Sequence, residues 1–403
     1  MTESAVVSRS GVPNVDIDVF GDAFLADPYA RHKELREAGP VFYLSSYGIY
    51  GMARHAEVSE TLRDWQTFIS SRGVGLTDFG KEEPWRPPSL LLEADPPLHQ
   101  RTRGIMNEVV NLSSLRALRP VWQEHANELV EHAVARGTID GVDDIAQAFP
   151  LRIFPATIGL PAGGEDHLLR YASVAFNAFG PRNHIFENTA NAAGPAAEWV
   201  AMACERANLN SSGWGAGVYA AADEGRCTES EAGRLVRSLL TAGLDTTING
   251  IGNMLYAFSQ NPGQWDKLRE EPRLLKRVFD ESLRWDSTAQ TFFRTASRDV
   301  RVAGVDIPEG SKVLLFLGAA NRDPRKWSDA ETFDITRSAS GHVGFGFGIH
   351  QCLGQMMARQ EAEMVLNALL PRVRRIEPAG DPGRVLNNTL HALGSLPITF
   401  VPD

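Results

Sequence analysis

Apolar residues recur every three or four positions over most of this chain, with polar residues between them. This spacing brings the apolar side chains to one face of a helix, so each such stretch predicts an amphipathic helix. The predicted helices cover residues 27–38, 55–63, 98 onward, 113–135, 167–179, 190–208, 229–260, 262–269, 273–285 and 356–370. The pattern therefore predicts a protein built mainly from helices.

Short runs rich in β-branched and aromatic residues lie between these helices and predict a few small strands. Residues 41–52 alternate loosely and favour a hairpin, and further strands are predicted over residues 291–296, 300–302, 312–318 and 398–401. The expected fold class is mainly α with small β-sheets. Because the 36 glycines and 23 prolines are spread along the chain as turn residues, we expect one domain over residues 1–403, with residues 1–20 flexible.

Residues 70–97 break the helical pattern with three glycines and five prolines. A long irregular loop in a compact domain is usually either functional or disordered. This one also contains Phe79, Trp85 and three consecutive leucines, Leu90 to Leu92. We therefore expect it to be ordered and to cover a pocket.

Composition narrows the class of protein. Hydrophobic residues make up 43% of the chain and charged residues 22%, as in soluble globular proteins. A net charge of −10 argues against nucleic acid as a partner. Three cysteines without a Cys-x-x-Cys pair fit neither a disulfide framework nor a zinc site. No signal peptide and no membrane-spanning run is visible, so we expect a cytoplasmic protein without a membrane partner.

Cys352 lies in a glycine-rich run, Phe345 to Gly354, just before a predicted helix. Glycines allow positive φ or a close backbone approach to something bulky. Backbone N–H groups at the helix start, together with the helix dipole, favour a thiolate. A thiolate held in this way with one face open suits an axial ligand of haem iron. The alternative is a glycine-rich turn that happens to contain a buried cysteine.

A second candidate motif, Ala242 to Thr247, lies inside the predicted helix 229–260. Gly243 disfavours a helix interior, and threonine hydroxyls that bond backbone carbonyls can bend a helix and make room for water. Asp245 and Thr246 would then form an acid–alcohol pair able to deliver protons. The alternative is a kink without a chemical role.

The run around Cys352 resembles the haem-binding signature of the cytochromes P450, and the resemblance extends along nearly the whole chain. It implies the P450 fold around a buried haem b, with the Cys352 thiolate on iron and Asp245 and Thr246 in oxygen activation. It also implies that Glu281, Arg284 and Arg337 form a structural triad. The residues that it places around the haem are His99, Arg103, Arg294, Phe345, His350 and Gly354.

Ser238, Ala242 and Thr246 lie at i, i+4 and i+8 and share one helix face. At a rise of ~1.5 Å per residue, Ser238 is about 12 Å from Thr246. A pocket along this face, with Arg86, Ser89 and Arg237 near its far end, would suit a rigid substrate about one aromatic ring long that carries an anion. Its apolar walls could come from Leu92, Phe176, Phe179 and Phe292.

The runs Trp85 to Ser89, Phe176 to Gly180, Arg237 to Leu240 and Gln290 to Arg294 are similar to those of bacterial P450 enzymes that oxidise para-substituted benzoates. The resemblance implies that the serines and the arginines of the loop and helix hold the carboxylate, and that the phenylalanines sandwich the ring. Departures are Ala175 and Ala289 in place of valine, Thr241 in place of serine, and the bulky Phe347. The two alanines could widen the pocket near the ring.

These features predict a haem-thiolate monooxygenase that oxidises the para substituent of an aromatic acid, for example by O-demethylation of 4-methoxybenzoate. Its expected partners are O₂, a ferredoxin and an NADH-linked ferredoxin reductase. Alternatives are a P450 acting on a neutral alkyl-guaiacol or a cinnamate, a peroxide-driven P450, and a haem-binding sensor or electron carrier. Arg322, Arg325 and Lys326 could form a docking patch for an acidic redox partner, or a solvated turn.

Overall fold

The structure is a computed structural model that describes residues 11–403. Helices account for most of it, as the periodicity predicts. They are α1 (Asp22–Ala26), α2 (Tyr29–Ala38), α3 (His55–Arg63), α4 (Leu98–Val109), α5 (Leu112–Arg136), α6 (Ala148–Ile158), α7 (Glu165–Asn177), α8 (His184–Ala203), α9 (Trp214–Asp223), α10 (Glu229–Gly243), α11 (Asp245–Gln260), α12 (Pro262–Glu270), α13 (Leu275–Trp285), α14 (Leu317–Asn321) and α15 (Gln355–Leu369).

The strands form small sheets at the edges of the helical body. They are β1 (Asn14–Val15), β2 (Phe42–Leu44), β3 (Ile49–Met52), β4 (Phe68–Ile69), β5 (Thr138–Asp140), β6 (Thr291–Ala296), β7 (Val300–Val302), β8 (Val305–Ile307), β9 (Lys312–Phe316), β10 (Val373–Pro378), β11 (Gly383–Val385), β12 (Ala392–Ser395) and β13 (Pro397–Pro402). The six-stranded sheet has the order β1-β2-β3-β9-β6-β4, and β10-β13-β5 form a second sheet. The pairs β11-β12 and β7-β8 are separate hairpins.

The long helix predicted over residues 229–260 is divided in two. Leu244, with φ −95° and ψ −66°, separates α10 from α11. The Thr246 hydroxyl donates to the Ala242 carbonyl at 2.7 Å, and the Thr247 hydroxyl donates to the Gly243 carbonyl at 3.1 Å. The break thus falls within the motif that predicted a distortion, and the threonines satisfy the carbonyls beside it.

Other boundaries differ from the prediction. Helix α7 ends at Asn177, so Phe179 lies in the turn that follows it. Helix α8 starts at His184, six residues before the predicted start, because the Asn183 side chain caps it by accepting a hydrogen bond from the Phe186 N–H. Helices α6 and α9 were not predicted.

The flexible start expected over residues 1–20 is wrong for its second half, and residues 1–10 lie outside the described part. Val15, Ile17, Val19 and Phe20 are buried in a cluster with Phe293 of β6. In this run apolar residues alternate with polar ones, and β1 pairs with β2 in parallel. The period-two pattern predicts a half-buried extended segment, as observed.

The predicted ion-pair triad is confirmed, and it lies deep in the molecule. Glu281 accepts two hydrogen bonds from Arg284 at 2.7 and 2.8 Å and one from Arg337 at 3.3 Å. Both Glu281 and Arg284 are fully buried. Arg284 also donates to the carbonyls of Asn321, Ala330 and Thr332. The triad therefore ties α13 to the long connection that leads to the Cys352 loop.

Candidate functional site

The loop around Cys352 has the strained backbone that its glycines predict. Gly346 has φ +65° and Gly348 has φ +72°, values that other residues rarely adopt. A Cβ at Gly348 would also lie 2.7 Å from the carbonyl oxygen of Leu62. The Cys352 N–H donates to the Phe345 carbonyl at 2.8 Å, which closes the loop.

The electrostatics of Cys352 combine opposing effects. Burial raises the pKa of the thiol, while backbone N–H groups of Gly354 and Gln355 and the charges of Arg103 and Arg359 act to lower it. Burial wins, so the thiol of the protein chain alone is not acidic. A coordinated cation would reverse this balance, because metal-bound thiols lose their proton.

Four predicted basic residues surround the mouth of this loop. The His99 and His350 rings lie 4.3 Å apart between centroids. Burial lowers the pKa of His99 to about 4 and that of Arg294 to about 10. Burial also lowers the pKa of Arg103. Within residues 11–403, neither arginine forms an ion pair with a carboxylate.

These residues fit a haem. The Nε2 atoms of His99 and His350 are buried and have no hydrogen-bond partner among the described residues. Asp95 is 3.8 Å from His350 Nε2, beyond hydrogen-bonding distance. Arg103 Nε donates to Asn107 Oδ1 at 3.2 Å and Arg294 Nη1 donates to the Phe293 carbonyl at 2.8 Å, so each guanidinium keeps further N–H groups. Together with the two histidines, these N–H groups suit the two carboxylates of a porphyrin. A Cβ at Gly346 or Gly354 would meet no protein atom within 4 Å, so the loop leaves room for a flat group.

The acid–alcohol pair lies at the break between α10 and α11. Burial raises the pKa of Asp245 from its ordinary value of 3.8 to about 7. Among the described residues none donates a hydrogen bond to its carboxyl group, whereas its backbone carbonyl accepts from Asn249 at 2.8 Å. Ala242, in the last turn of α10, is exposed, so the helix face beside the break borders open space. A carboxyl group that titrates near neutrality beside such a face can hold or release a proton.

Two predicted serines meet at the far end of the helix face. Ser89 Oγ and Ser238 Oγ are 3.2 Å apart and come from elements 149 residues apart in sequence. Ser89 Oγ also accepts hydrogen bonds from the Leu91 and Leu92 N–H groups. The loop over residues 70–97 is thus ordered against α10, as predicted.

The arginine of this loop has a partner that the sequence analysis did not identify. Arg86 Nη1 donates to Glu93 Oε2 at 3.0 Å, and both side chains are buried. Glu93 Oε2 also accepts from the Ser89 N–H at 2.6 Å. Arg86 Nε and Nη2 remain buried without a hydrogen-bond partner among the described residues. The candidate anion subsite therefore contains its own carboxylate and two unused donors.

Two arginines of α10 contact the proline-rich loop through its backbone. Arg237 Nη2 donates to the Pro87 carbonyl at 3.0 Å, and Arg234 Nη2 donates to the Pro88 carbonyl at 2.6 Å. Arg237 thus holds the loop in place and does not meet the two serines directly. Arg234, which the sequence analysis missed, lines a cavity of about 320 Å³ with Ser89 and Glu93. Its i−4 spacing from Ser238 was the available signal.

The predicted apolar wall residues belong to one hydrophobic cluster. Phe176 and Phe179 are edge-to-face at 5.9 Å, and Phe179 lies 5.8 Å from Phe292. Leu92 and Phe292 are only partly buried, so they offer surface to a ligand. The members that the prediction did not assign to the wall include Leu390 and Ala392 from the C-terminal hairpin.

The four residues that depart from the pattern of the benzoate-oxidising enzymes lie in different parts of the molecule. Ala289 belongs to the aromatic cluster and Ala175 is fully buried. The Thr241 hydroxyl donates to the Arg237 carbonyl at 3.0 Å, which engages it within the helix. Phe347 packs against the same cluster, and the Arg63 guanidinium lies 4.1 Å from its ring centre.

The docking patch considered for Arg322, Arg325 and Lys326 is not free. Arg322 stacks 3.8 Å over the Tyr29 ring and pairs with Glu331, and Arg325 pairs with Glu37 and Asp323. In the part of the chain that the structure describes, no helix combines the length and the apolar character that crossing a bilayer requires.

Comparisons with known proteins agree with this geometry. The family model described as cytochrome P450 matches residues 218–400. Over 394 residues, 98% of this chain and 96% of the relative, the chain is 50% identical to cytochrome p450 CYP199A2 of Rhodopseudomonas palustris. It is 29% identical to a steroid C26-monooxygenase of Mycolicibacterium smegmatis over 94% of this chain and 93% of that protein.

A solved structure shows the same fold at lower identity. It is cytochrome P450 CREJ in complex with (4-ethylphenyl) dihydrogen phosphate. The TM-score is 0.83 at 28% identity, with 94% of this chain and 98% of that chain covered.

Proposed function

Because this chain belongs to the cytochrome P450 family, whose members are haem-thiolate monooxygenases, we propose that it oxidises the para substituent of a substituted benzoate. The observation that carries the proposal is the contact of Ser89 with Ser238 of α10, at 3.2 Å. Asp245 and Thr246 begin α11 just after the end of α10, and Phe176, Phe179 and Phe292 form one hydrophobic cluster. We further propose that residues 1–403 act as one domain.

The haem b would be held by the residues gathered around the Cys352 loop. Cys352 would supply the thiolate, and His99, Arg103, Arg294 and His350 would donate to the two carboxylates. Phe345 and Gly354 would border the porphyrin face. When bound, the haem iron supplies the activation of O₂ that this enzyme class requires.

The substrate ring would pack against Phe179 and Phe292, with Leu92, Phe176 and Ala242 completing the wall. Its carboxylate would accept hydrogen bonds from Ser89 and Ser238, with the unused donors of Arg86 close to them. Arg237 would hold the loop closed over this end. The para substituent would then point toward Thr246, because Thr246 lies in the first turn of α11, about two turns beyond Ser238 of α10.

With a para-methoxy group, insertion of one oxygen atom into a methyl C–H bond gives a hemiacetal. This breaks down to a phenol and formaldehyde. The second oxygen atom leaves as water. This takes two electrons, which NADH supplies through a ferredoxin reductase and a ferredoxin, and two protons, which reach the site from solvent. Asp245 would hold a proton near neutral pH, and the Thr246 hydroxyl would pass it on.

The electron donor would approach the outer side of the Cys352 loop. A cavity of about 340 Å³ opens there, and the exposed Lys276 and Arg277 line it with Arg359, Phe345 and Gln351. Exposed cations beside the thiolate loop would attract an acidic ferredoxin.

One observation favours a second substrate class. Because Glu93 already neutralises Arg86, the far end of the pocket has less net positive charge than the arginine alone would give. A neutral alkyl-guaiacol could then bind there through the two serine hydroxyls alone.

Titration of the purified haem protein separates these substrates. We expect 4-methoxybenzoate to shift the haem absorption from low spin to high spin, and 4-methylguaiacol to shift it less. A complete lack of response to aromatic acids, with a response to the neutral phenol, would overturn the benzoate assignment in favour of the second class.

A further inference from the structure

A turn near the C-terminus completes the end of a distant helix. The last carbonyls of a helix have no partners within the helix. At the end of α7, the Phe176 carbonyl accepts from Thr389 Oγ1 and the Asn177 carbonyl accepts from Asn388 Nδ2, both at 2.9 Å. The donors lie in the turn between β11 and β12, more than 210 residues later in sequence. The Phe179 and Gly180 N–H groups also bond these two carbonyls at 3.2 Å, so the turn adds a distant cap to the local one.

Asn388 uses its whole side chain in this contact. Asn388 Nδ2 donates to Asn183 Oδ1 at 3.0 Å, and Asn183 Nδ2 donates back to Asn388 Oδ1 at 2.8 Å. The Asn388 N–H also donates to Asn177 Oδ1 at 2.9 Å. Asn388 is 2% exposed, so each lost bond would leave a buried group unsatisfied.

At Gly180, just after α7, the backbone lies too close to Asn388 for any residue larger than glycine. A Cβ at Gly180 would lie 2.5 Å from the Asn388 Cβ. On the opposite side, the Leu76 N–H donates to the Phe179 carbonyl at 2.8 Å, and a Cβ at Gly75 would lie 2.7 Å from Phe179 Cα. The segment that carries Phe176 and Phe179 is thus held between the proline-rich loop and the C-terminal turn.

We propose that Asn388 is a positioning residue for the substrate pocket, which holds Phe176 and Phe179 in the wall that faces the aromatic ring of the substrate. The inference rests on the proposed function, since these phenylalanines form the proposed ring wall. It adds a determinant of substrate shape that lies outside the pocket lining.

The matched substitutions Asn388→Asp and Asn387→Asp test this role. Asn388→Asp removes both side-chain donors and places a carboxylate against the Asn177 carbonyl. Asn387→Asp keeps the oxygen that accepts from the Thr389 and Leu390 N–H groups, both at 2.9 Å, in the same turn. Only the first change breaks the contact with α7.

We expect Asn388→Asp to weaken 4-methoxybenzoate binding about tenfold in the spin-state titration, as loss of a buried hydrogen bond would. The dissociation of 4-methoxybenzoate from Asn388→Asp should be faster in stopped-flow measurements. Meta-substituted benzoates should lose less affinity than the para compound. The reduced carbonyl band near 450 nm should be retained, as in Asn387→Asp. If the parent protein binds the benzoate and both variants bind it equally well, the positioning role of Asn388 is overturned and the proposed function is left intact.

If Asn388→Asp does not fold, the substitution Asn183→Ser tests the same role. A serine still caps α8 but cannot donate to Asn388 Oδ1. We expect about threefold weaker binding, because the two bonds between Asn183 and Asn388 are lost while those between Asn388 and Asn177 remain, and an unchanged affinity would overturn the proposal. A parent protein that binds no aromatic acid at all would instead reject the benzoate assignment.

Discussion

At the scale of single residues, the environment of Asp245 and Thr246 decides what they can do. A carboxylic acid without a hydrogen-bond donor keeps its proton to a higher pH, because burial penalises the charge. The Thr246 hydroxyl is accessible and bonded only to the helix carbonyl four residues earlier. Both residues can therefore exchange partners without disturbing the core.

Replacement of Thr246 by alanine should uncouple NADH consumption from product. Without the hydroxyl, protons reach the reaction site less selectively. We expect the product formed per NADH to fall about tenfold, less than the ~10²–10⁴-fold that a positioned acid–base group contributes to a rate. Formaldehyde and NADH would be measured together. Thr247→Ala is the control, since Thr247 makes the same i−4 contact from a buried position. A parental yield from Thr246→Ala would contradict the relay.

Asp245 predicts a pH dependence with a defined sign. Its pKa is raised from 3.8 to about 7, so the protonated form that can donate declines as pH rises through 7. Coupled turnover should fall over this range in the parent and stay low and flat in Asp245→Asn. The raised pKa also means that the folded state binds the extra proton between pH 3.8 and 7, so this group's stabilisation is lost as pH rises. Parallel pH profiles for parent and variant would contradict the assignment.

Glu93 provides a test of the charge at the far end of the pocket. Glu93→Gln removes the carboxylate that neutralises Arg86 and keeps the shape of the side chain. We expect benzoates to bind about three- to tenfold tighter, because like-charge repulsion is removed, and neutral guaiacols to bind as before. Spin-state titrations of one acid and one neutral ligand would show this difference. Equal changes for both ligands would place Glu93 outside the subsite.

At the scale of elements, the break between α10 and α11 depends on packing as well as on hydroxyl groups. A Cβ at Gly243 would lie 2.4 Å from the Phe154 ring of α6. Packing against Phe154 therefore requires glycine at position 243, a reason that the poor helix propensity of glycine does not reveal.

Gly243→Ala should therefore destabilise the protein although alanine favours helices. The propensity gain is at most about 1 kcal/mol, and overpacking costs about 1–3 kcal/mol. We expect a net loss of about 1–2 kcal/mol in urea unfolding. The double variant Gly243→Ala/Phe154→Leu should recover part of this loss, because the smaller side chain yields space. A stabilised single variant would show that Phe154 moves aside freely.

At the scale of the whole molecule, the Glu281 triad joins segments that are far apart in sequence. Glu281→Gln would leave two guanidinium groups near a neutral amide in the interior, which typically costs about 3–5 kcal/mol. We expect a much lower urea midpoint and loss of haem during purification. Glu34→Gln is the control, because Glu34 and Arg31 form an ion pair whose side chains are 55% and 46% exposed. Similar stability of the two variants would contradict the structural role.

Much of this architecture was predictable, because helix periodicity and local motifs are properties of neighbouring residues. The α3 and β6 bounds, the Cys352 loop and the approach of Ser89 to Ser238 follow from such patterns. Helix α6 was missed, and it contains Pro155, a residue that argues against a helix interior. Asn388 carried no local signal, since its partners come from the folded arrangement. Glu93 was missed although its partners Arg86 and Ser89 are only seven and four residues away, because nothing in the spacing shows that this loop folds back on itself.

Strand β6 has a further consequence for the range of substrates. Phe292 and Arg294 are two positions apart on it, so both side chains project to the same side, about 7 Å apart. Phe293, between them, faces the N-terminal core. This stiff strand would thus fix the distance between the substrate ring and the edge of the porphyrin. Substitutions of wall residues would change which molecules this enzyme accepts, while the distance from the substrate ring to the oxidised atom would stay constant.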